Sequence, residues 1–194
     1  MAEQHNPSLL QKALRLEYMT IAWNVFEGIV CIVLGFLSGS IALIAFGLGS
    51  SVEVFASSVV IWELKDRARG REKMALKLIG CAYLVVSVYI FVDAIKSIMD
   101  GRHPEASWMG ILFLFATAFV MLYLGLAKKN VGRKMGSASV LANAKFTLVD
   151  GALSTAVMLG LLTNSLFGWW WVDQALAIFL AGAAFREGIK ELLG

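Results

Sequence analysis

Long apolar runs alternate with short polar stretches along the whole chain. The runs cover about residues 18–37, 41–62, 75–98, 108–127, 140–162 and 169–189. Each is close to the roughly 20 residues a helix needs to cross the hydrocarbon core of a bilayer. The pattern therefore predicts an all-α integral membrane protein of six transmembrane helices, occupying residues 18–194. Residues 1–17 read as a polar amino-terminal tail. Gly39 and Ser40 predict a tight turn between the first two spans, and residues 164–168 another between the last two. Pro104 breaks the third connection.

Composition agrees with the pattern. The 194 residues are 59% hydrophobic and only 16% charged, with a mean hydropathy of +0.74. Soluble domains are nearer 45–50% apolar and about 25% charged. Disordered, collagen-like and disulfide-scaffold classes are excluded. Cys31 and Cys81 both lie inside apolar runs and read as small fillers.

The placement of charge sets the direction. Of 17 Lys and Arg residues, 14 fall on one side of the expected membrane: Lys12 and Arg15, the basic connection over 63–77, the Lys128–Lys134 group, and Arg186 with Lys190. The positive-inside rule then puts both termini in the cytoplasm. The basic connection is read as a topology determinant near anionic lipid rather than a nucleic-acid patch. In a bacterial cell the expected location is the inner membrane.

Acids within the spans carry the chemistry. The segment 39–57, GSIALIAFGLGSSVEVFAS, repeats 97 residues later as GSASVLANAKFTLVDGALS over 136–154. Glu53 coincides with Asp150, Ser50 with Thr147 and Ser57 with Ser154. A charge at membrane depth costs about 2.5–3.5 kcal/mol on insertion scales, so it is paired, protonated, hydrated or bound to a cation. Glu27 in the first span shares a helix face with Asn24 and Cys31. Asn143 and Asp150, seven apart, share one in the fifth. Glu53, Asp150, Glu27 and Asn143 are thus candidates for one divalent-cation site. The bland alternative is interhelical hydrogen bonding. Asp93 and Lys96 read as a local or snorkelling pair, Trp169–Trp171 as an interfacial belt, and Asp173 as a helix cap.

The run GFLSGSIALIAFGLGSSVEVFASS resembles the first-to-second-helix region of the cation diffusion facilitator family. VLANAKFTLVDGALS resembles that family's fifth helix, and WWWVDQALAIFLAGAAFREGIKEL its sixth. The likeness is to a short bacterial branch without the cytoplasmic domain. It implies a homodimer exporting divalent metal against protons. The family's site takes two ligands, four apart, from each of the second and fifth helices. The second ligands fall on Glu53 and Asp150, the first on Gly49 and Phe146, which cannot bind metal. An additional acid of the fifth helix falls on Asn143, and Glu27 matches an acid the short branch shows in its first helix.

The expected function is therefore proton-coupled efflux of a divalent metal by alternating access, with no tightly bound cofactor and no nucleic-acid partner. The ion itself (Mn²⁺, Fe²⁺, Co²⁺, Zn²⁺, Cd²⁺ or Mg²⁺) is cargo. His5 and His103 lie outside the spans, and an oxygen-rich set leans away from zinc. The alternative is a non-transporting structural or regulatory membrane subunit in which Lys145 neutralises Glu27, Asp150 or a partner-chain acid in place of metal, or else snorkels toward the nearer interface. Enzymatic chemistry has little to work with, since the chain has no HExxH pair and no GxSxG elbow.

Overall fold

A computed structural model describes residues 7–38, 41–66, 71–101, 108–169 and 171–193, apart from the side chains of 38, 41, 42, 45, 173 and 176. The expected Gly39–Ser40 turn, Pro104, His5, His103 and the Asp173 cap lie outside them. All regular structure among the described residues is helical. Six helices follow in order: α1 Pro7–Ser38, α2 Ile41–Lys65, α3 Glu72–Met99, α4 Trp108–Met135, α5 Ala138–Phe167 and α6 Val172–Leu193.

Five of the six, α1 to α5, are long and apolar enough to cross a membrane. The sixth expected span corresponds to α6, which carries Arg186, Glu187, Lys190 and Glu191 in its last turns. Apolar side chains such as Phe36, Phe115, Phe119 and Phe179 face outward. That is the arrangement of a bundle whose solvent is lipid.

Buried positions recur at heptad-like spacing, and on three helices that buried stripe is polar. In α1 it runs Glu17, Thr20, Asn24, Glu27 and Cys31; in α2, Ser50, Glu53 and Ser57; in α5, Ser139, Asn143, Thr147 and Ser154. Steps of three, four or seven residues keep each series on one helix face. The facing stripe of α4 is mostly apolar, running Leu114, Thr117, Met121 and Leu124 to Lys128.

Helix α1 runs antiparallel to α2, and α3 to α6, as their contacts show. A Cβ on Gly28 would meet the Gly47 carbonyl at 3.1 Å, so α1 and α2 approach backbone to backbone. Gly80 and Gly188 do the same for α3 and α6. Small residues at such crossings are what permits close packing in lipid. Between α4 and α5 the chain reverses in two residues. Gly136 takes φ of 60°, a left-handed conformation that favours glycine, and the Ser137 hydroxyl caps α5 by accepting from Val140 N–H. Both described termini, and the α2–α3 and α4–α5 connections, lie at one end of the bundle.

Candidate metal centre within the bundle

The repeat explains how the carboxylates are held. Ser50 of α2 donates to Glu27 Oε1 across the α1–α2 contact, at 2.7 Å. Its repeat counterpart, Thr147 of α5, donates to Glu53 Oε1 across the α2–α5 contact. Each half of the repeat thus uses the hydroxyl three residues before its own acid to hold the acid of a neighbouring helix. Each held carboxylate keeps its other oxygen open: Glu27 Oε2 and Glu53 Oε2 are buried without a hydrogen-bond partner, and so is Asp150 Oδ2. The Trp23 indole belongs to the surroundings of Glu27, but its N–H forms no hydrogen bond of acceptable geometry.

Glu53 and Asp150 line one cavity of about 30 Å³, together with Gly49, Phe146, Tyr83 and Val149. That is room for about one water or a bare ion. A second cavity of about 70 Å³ shares Phe46, Tyr89, Ile90 and Leu153 with it, and extends to Asp93, Ser97 and Gln174 at the end opposite the termini. Glu27 is close enough for its charge to act on both Glu53 and Asp150. No three His, Cys, Asp or Glu side chains among the described residues converge tightly enough to hold a metal as they stand.

Asn143 sits elsewhere on the same seam. Its amide donates to Glu17 Oε2 at 2.7 Å and to Ser57 Oγ at 3.1 Å. The same Glu17 oxygen accepts from Lys128 Nζ at 3.0 Å, and neither side chain of that ion pair is exposed. The sequence reading places Glu17 in the tail and Lys128 in the fourth connection. Both belong instead to helices, because α1 begins at Pro7 and α4 continues to Met135. Steps of three and four running back from Glu27 through Asn24 and Thr20 reach Glu17, a signal present in the sequence.

Lys145 differs from expectation. Its ammonium bonds Glu187 Oε2 at 2.7 Å and Glu191 Oε1 at 3.2 Å, both on α6. It leans off the buried face of α5 and neutralises α6 acids rather than Glu27 or Asp150. Cys31 is fully buried on the same stripe as Glu27, and Cys81 is exposed.

Residues 71–193 match the sequence profile of the cation efflux transmembrane domain. The chain belongs to the cation efflux (cation diffusion facilitator) family. It is similar to the magnetosome protein MamB of Paramagnetospirillum magneticum, 25% identical over 190 residues, which cover 90% of this chain and 64% of that protein. It is also similar to a cadmium, cobalt and zinc/H(+)-K(+) antiporter of Bacillus subtilis, 22% identical over 206 residues covering 97% of this chain and 63% of the relative. The chain spans less than two thirds of the length of these curated relatives. Gly49 and Phe146, where the resemblance places the family's other two ligands, line the same cavity as Glu53 and Asp150. Nothing lies within 4 Å of where a Gly49 Cβ would stand. The Phe146 ring is committed to Tyr83, with ring centroids 4.5 Å apart.

Proposed function

We propose that this chain carries a divalent metal cation across a bacterial inner membrane, as a homodimer with both termini in the cytoplasm. Glu53 and Asp150 hold the ion, Glu27 assists from α1, and Asn143 receives it on the side of the termini. The observation that carries this reading is the set of open oxygens. Glu27, Glu53 and Asp150 each keep one buried carboxylate oxygen with no hydrogen-bond partner, and two of the three acids face one cavity. Buried acceptors are ordinarily satisfied. A cation entering that space satisfies Glu53 and Asp150, which line it.

Protons and metal compete for the same oxygens, because a protonated carboxyl is a poor ligand. Protons arriving from outside therefore release metal, and metal arriving from inside releases protons, which is antiport. Alternating access supplies the two directions of approach. The donor set is oxygen, so hard or borderline ions such as Mn²⁺, Fe²⁺, Co²⁺ and Mg²⁺ suit it better than zinc. The family's description supports export as the direction, and the name of the Bacillus subtilis relative supports exchange against protons.

The test is flux in proteoliposomes containing a pH-sensitive dye, across a series of divalent ions. Metal movement with opposite proton movement, lost in Glu53→Ala and in Asp150→Ala, is expected. Full activity in both variants, or no flux of any ion from correctly oriented folded protein, overturns it. The second of these outcomes favours a non-transporting subunit.

A further inference from the structure

We infer that Glu17, Asn143 and Ser57 form a second cation-binding station, and that the Lys128 ammonium occupies it as a tethered stand-in for the transported ion. This rests on the transport reading above and adds a place on the route.

Position comes first. Ser57 is one turn beyond Glu53 in α2, and Asn143 is one turn before Thr147 in α5. At 1.5 Å per residue the cluster lies about 6 Å along the bundle from Glu53, toward the end carrying the termini. An ion moving between Glu53 and that end passes it.

The donor chemistry comes next. A carboxylate, an amide carbonyl and a hydroxyl are all hard oxygen ligands, the set a small divalent cation takes. Ser57 lies against the Glu17 carboxylate as well as the Asn143 amide. Glu17, Ser57, Lys128 and Asn143 are all fully buried. A device that only pinned helices together would leave its acceptors satisfied. Here Glu17 Oε1 and Asn143 Oδ1 are both buried with no hydrogen-bond partner, beside a cation that satisfies only Glu17 Oε2. The cluster offers more acceptor capacity than its ammonium uses.

Electrostatics gives the arrangement a purpose. Removing one partner of a buried ion pair leaves an uncompensated charge, which is strongly unfavourable. A tethered ammonium keeps Glu17 compensated whenever no ion is present. Lysine suits this role, since its charge rides on a flexible four-carbon stem and withdraws without being lost. The Lys128 charge also acts on Glu53. Its departure from Glu17 therefore alters the hold on an ion one turn away, and couples the two stations.

The experiment removes the stand-in and asks whether a free ion replaces it. Mn²⁺ binding is measured by calorimetry and by thermal stabilisation, on protein in lipid nanodiscs carrying Glu53→Gln and Asp150→Asn. Those changes silence the transport centre, so failure of the transport reading is scored separately, in proteoliposomes. Lys128→Met on this background is expected to bind Mn²⁺ at least tenfold more tightly than Lys128→Met combined with Glu17→Gln, with Mg²⁺ competing. The same comparison in the otherwise unaltered chain is expected to show one added Mn²⁺ per chain, and covers a background that does not fold. Lys128→Gln, whose amide still donates to Glu17, stands in if Lys128→Met does not accumulate. Equal Mn²⁺ affinity with and without Glu17, or failure of both lysine variants to fold with Mn²⁺ present, overturns the inference.

Discussion

Gly47 and Gly49 are two residues apart in α2, yet alanine at each is expected to move stability in opposite directions. A Cβ on Gly47 would stand 2.9 Å from the Gly28 carbonyl oxygen, 3.0 Å from Cys31 Cβ and 3.1 Å from Ile32 Cγ1. Ordinary contacts sit near 3.5–4.0 Å, so α1 and α2 must part by roughly 0.5 Å. The Gly28 oxygen is backbone and has no rotamer by which to yield. Overpacking of this kind costs about 1–3 kcal/mol, against about 1 kcal/mol gained by replacing a mid-helix glycine with alanine. The net result for Gly47→Ala is a loss of up to about 2 kcal/mol. Gly49 has nothing within 4 Å of its Cβ position, so Gly49→Ala keeps the gain of up to about 1 kcal/mol. The Ser50–Glu27 hydrogen bond crosses the same α1–α2 contact, so Gly47→Ala is also expected to weaken transport. Reversible unfolding in mixed micelles, with melting temperature as a second reading, measures the gap between the two variants. Equal stabilities, or a more stable Gly47→Ala protein, would refute the reasoning that the two helices meet backbone to backbone here.

Other expectations follow from the same geometry. Gly49→Asp places a carboxylate in open space beside Glu53 and Asp150, and is expected to tighten divalent-metal binding, read by calorimetry. Thr147→Val removes the donor to Glu53 Oε1; an additional buried acceptor without a partner costs about 1–3 kcal/mol, and thermal unfolding should show that loss. Lys145→Ala breaks a partly exposed ion pair worth about 1 kcal/mol or less; it should leave metal flux unchanged, and a gain of metal affinity would count against this assignment. Flux should fall as the pH on the metal-loading side falls, because protons then hold the carboxylates; a dye-free radiometal assay checks the sign.

The helices were legible in the sequence because lipid imposes a length and a composition that few other environments demand. Glu27, Glu53 and Asp150 were legible for the same reason, since each interrupts an apolar run. The repeat also announced Ser50 and Thr147 as a pair, though not that each would bond an acid of a neighbouring helix. Glu17 and Lys128 were hidden by the logic that finds spans. A charge at the edge of an apolar run reads as the end of the helix, whereas both helices continue and the two charges meet 111 residues apart in sequence. Lys145 misled for a related reason. Glu187 and Glu191 lie in the last turns of α6, far from Lys145 in sequence, and only the packing of α6 beside α5 makes them partners. Phe146 gives the reverse lesson: the position where the resemblance expects a ligand holds, in space, a ring packed on Tyr83.

The long-range pairs also bear on how the protein is made. Glu17 waits for Lys128, and Glu53 waits for Thr147, 94 residues later. At about 5–20 residues per second, roughly 5 to 20 s of synthesis separate each acid from its partner. Glu27 finds its partner early, from Ser50 on the next helix. The amino-terminal hairpin therefore enters the bilayer with Glu17, Glu53 and Glu63 awaiting partners on α4 and α5, Ser139 in the case of Glu63, and depends on the insertion machinery, water or protons until those helices arrive. Ribosome stalling between α3 and α4 should leave a nascent chain that is easily extracted from the membrane, and completion of α5 should be the step that locks it in.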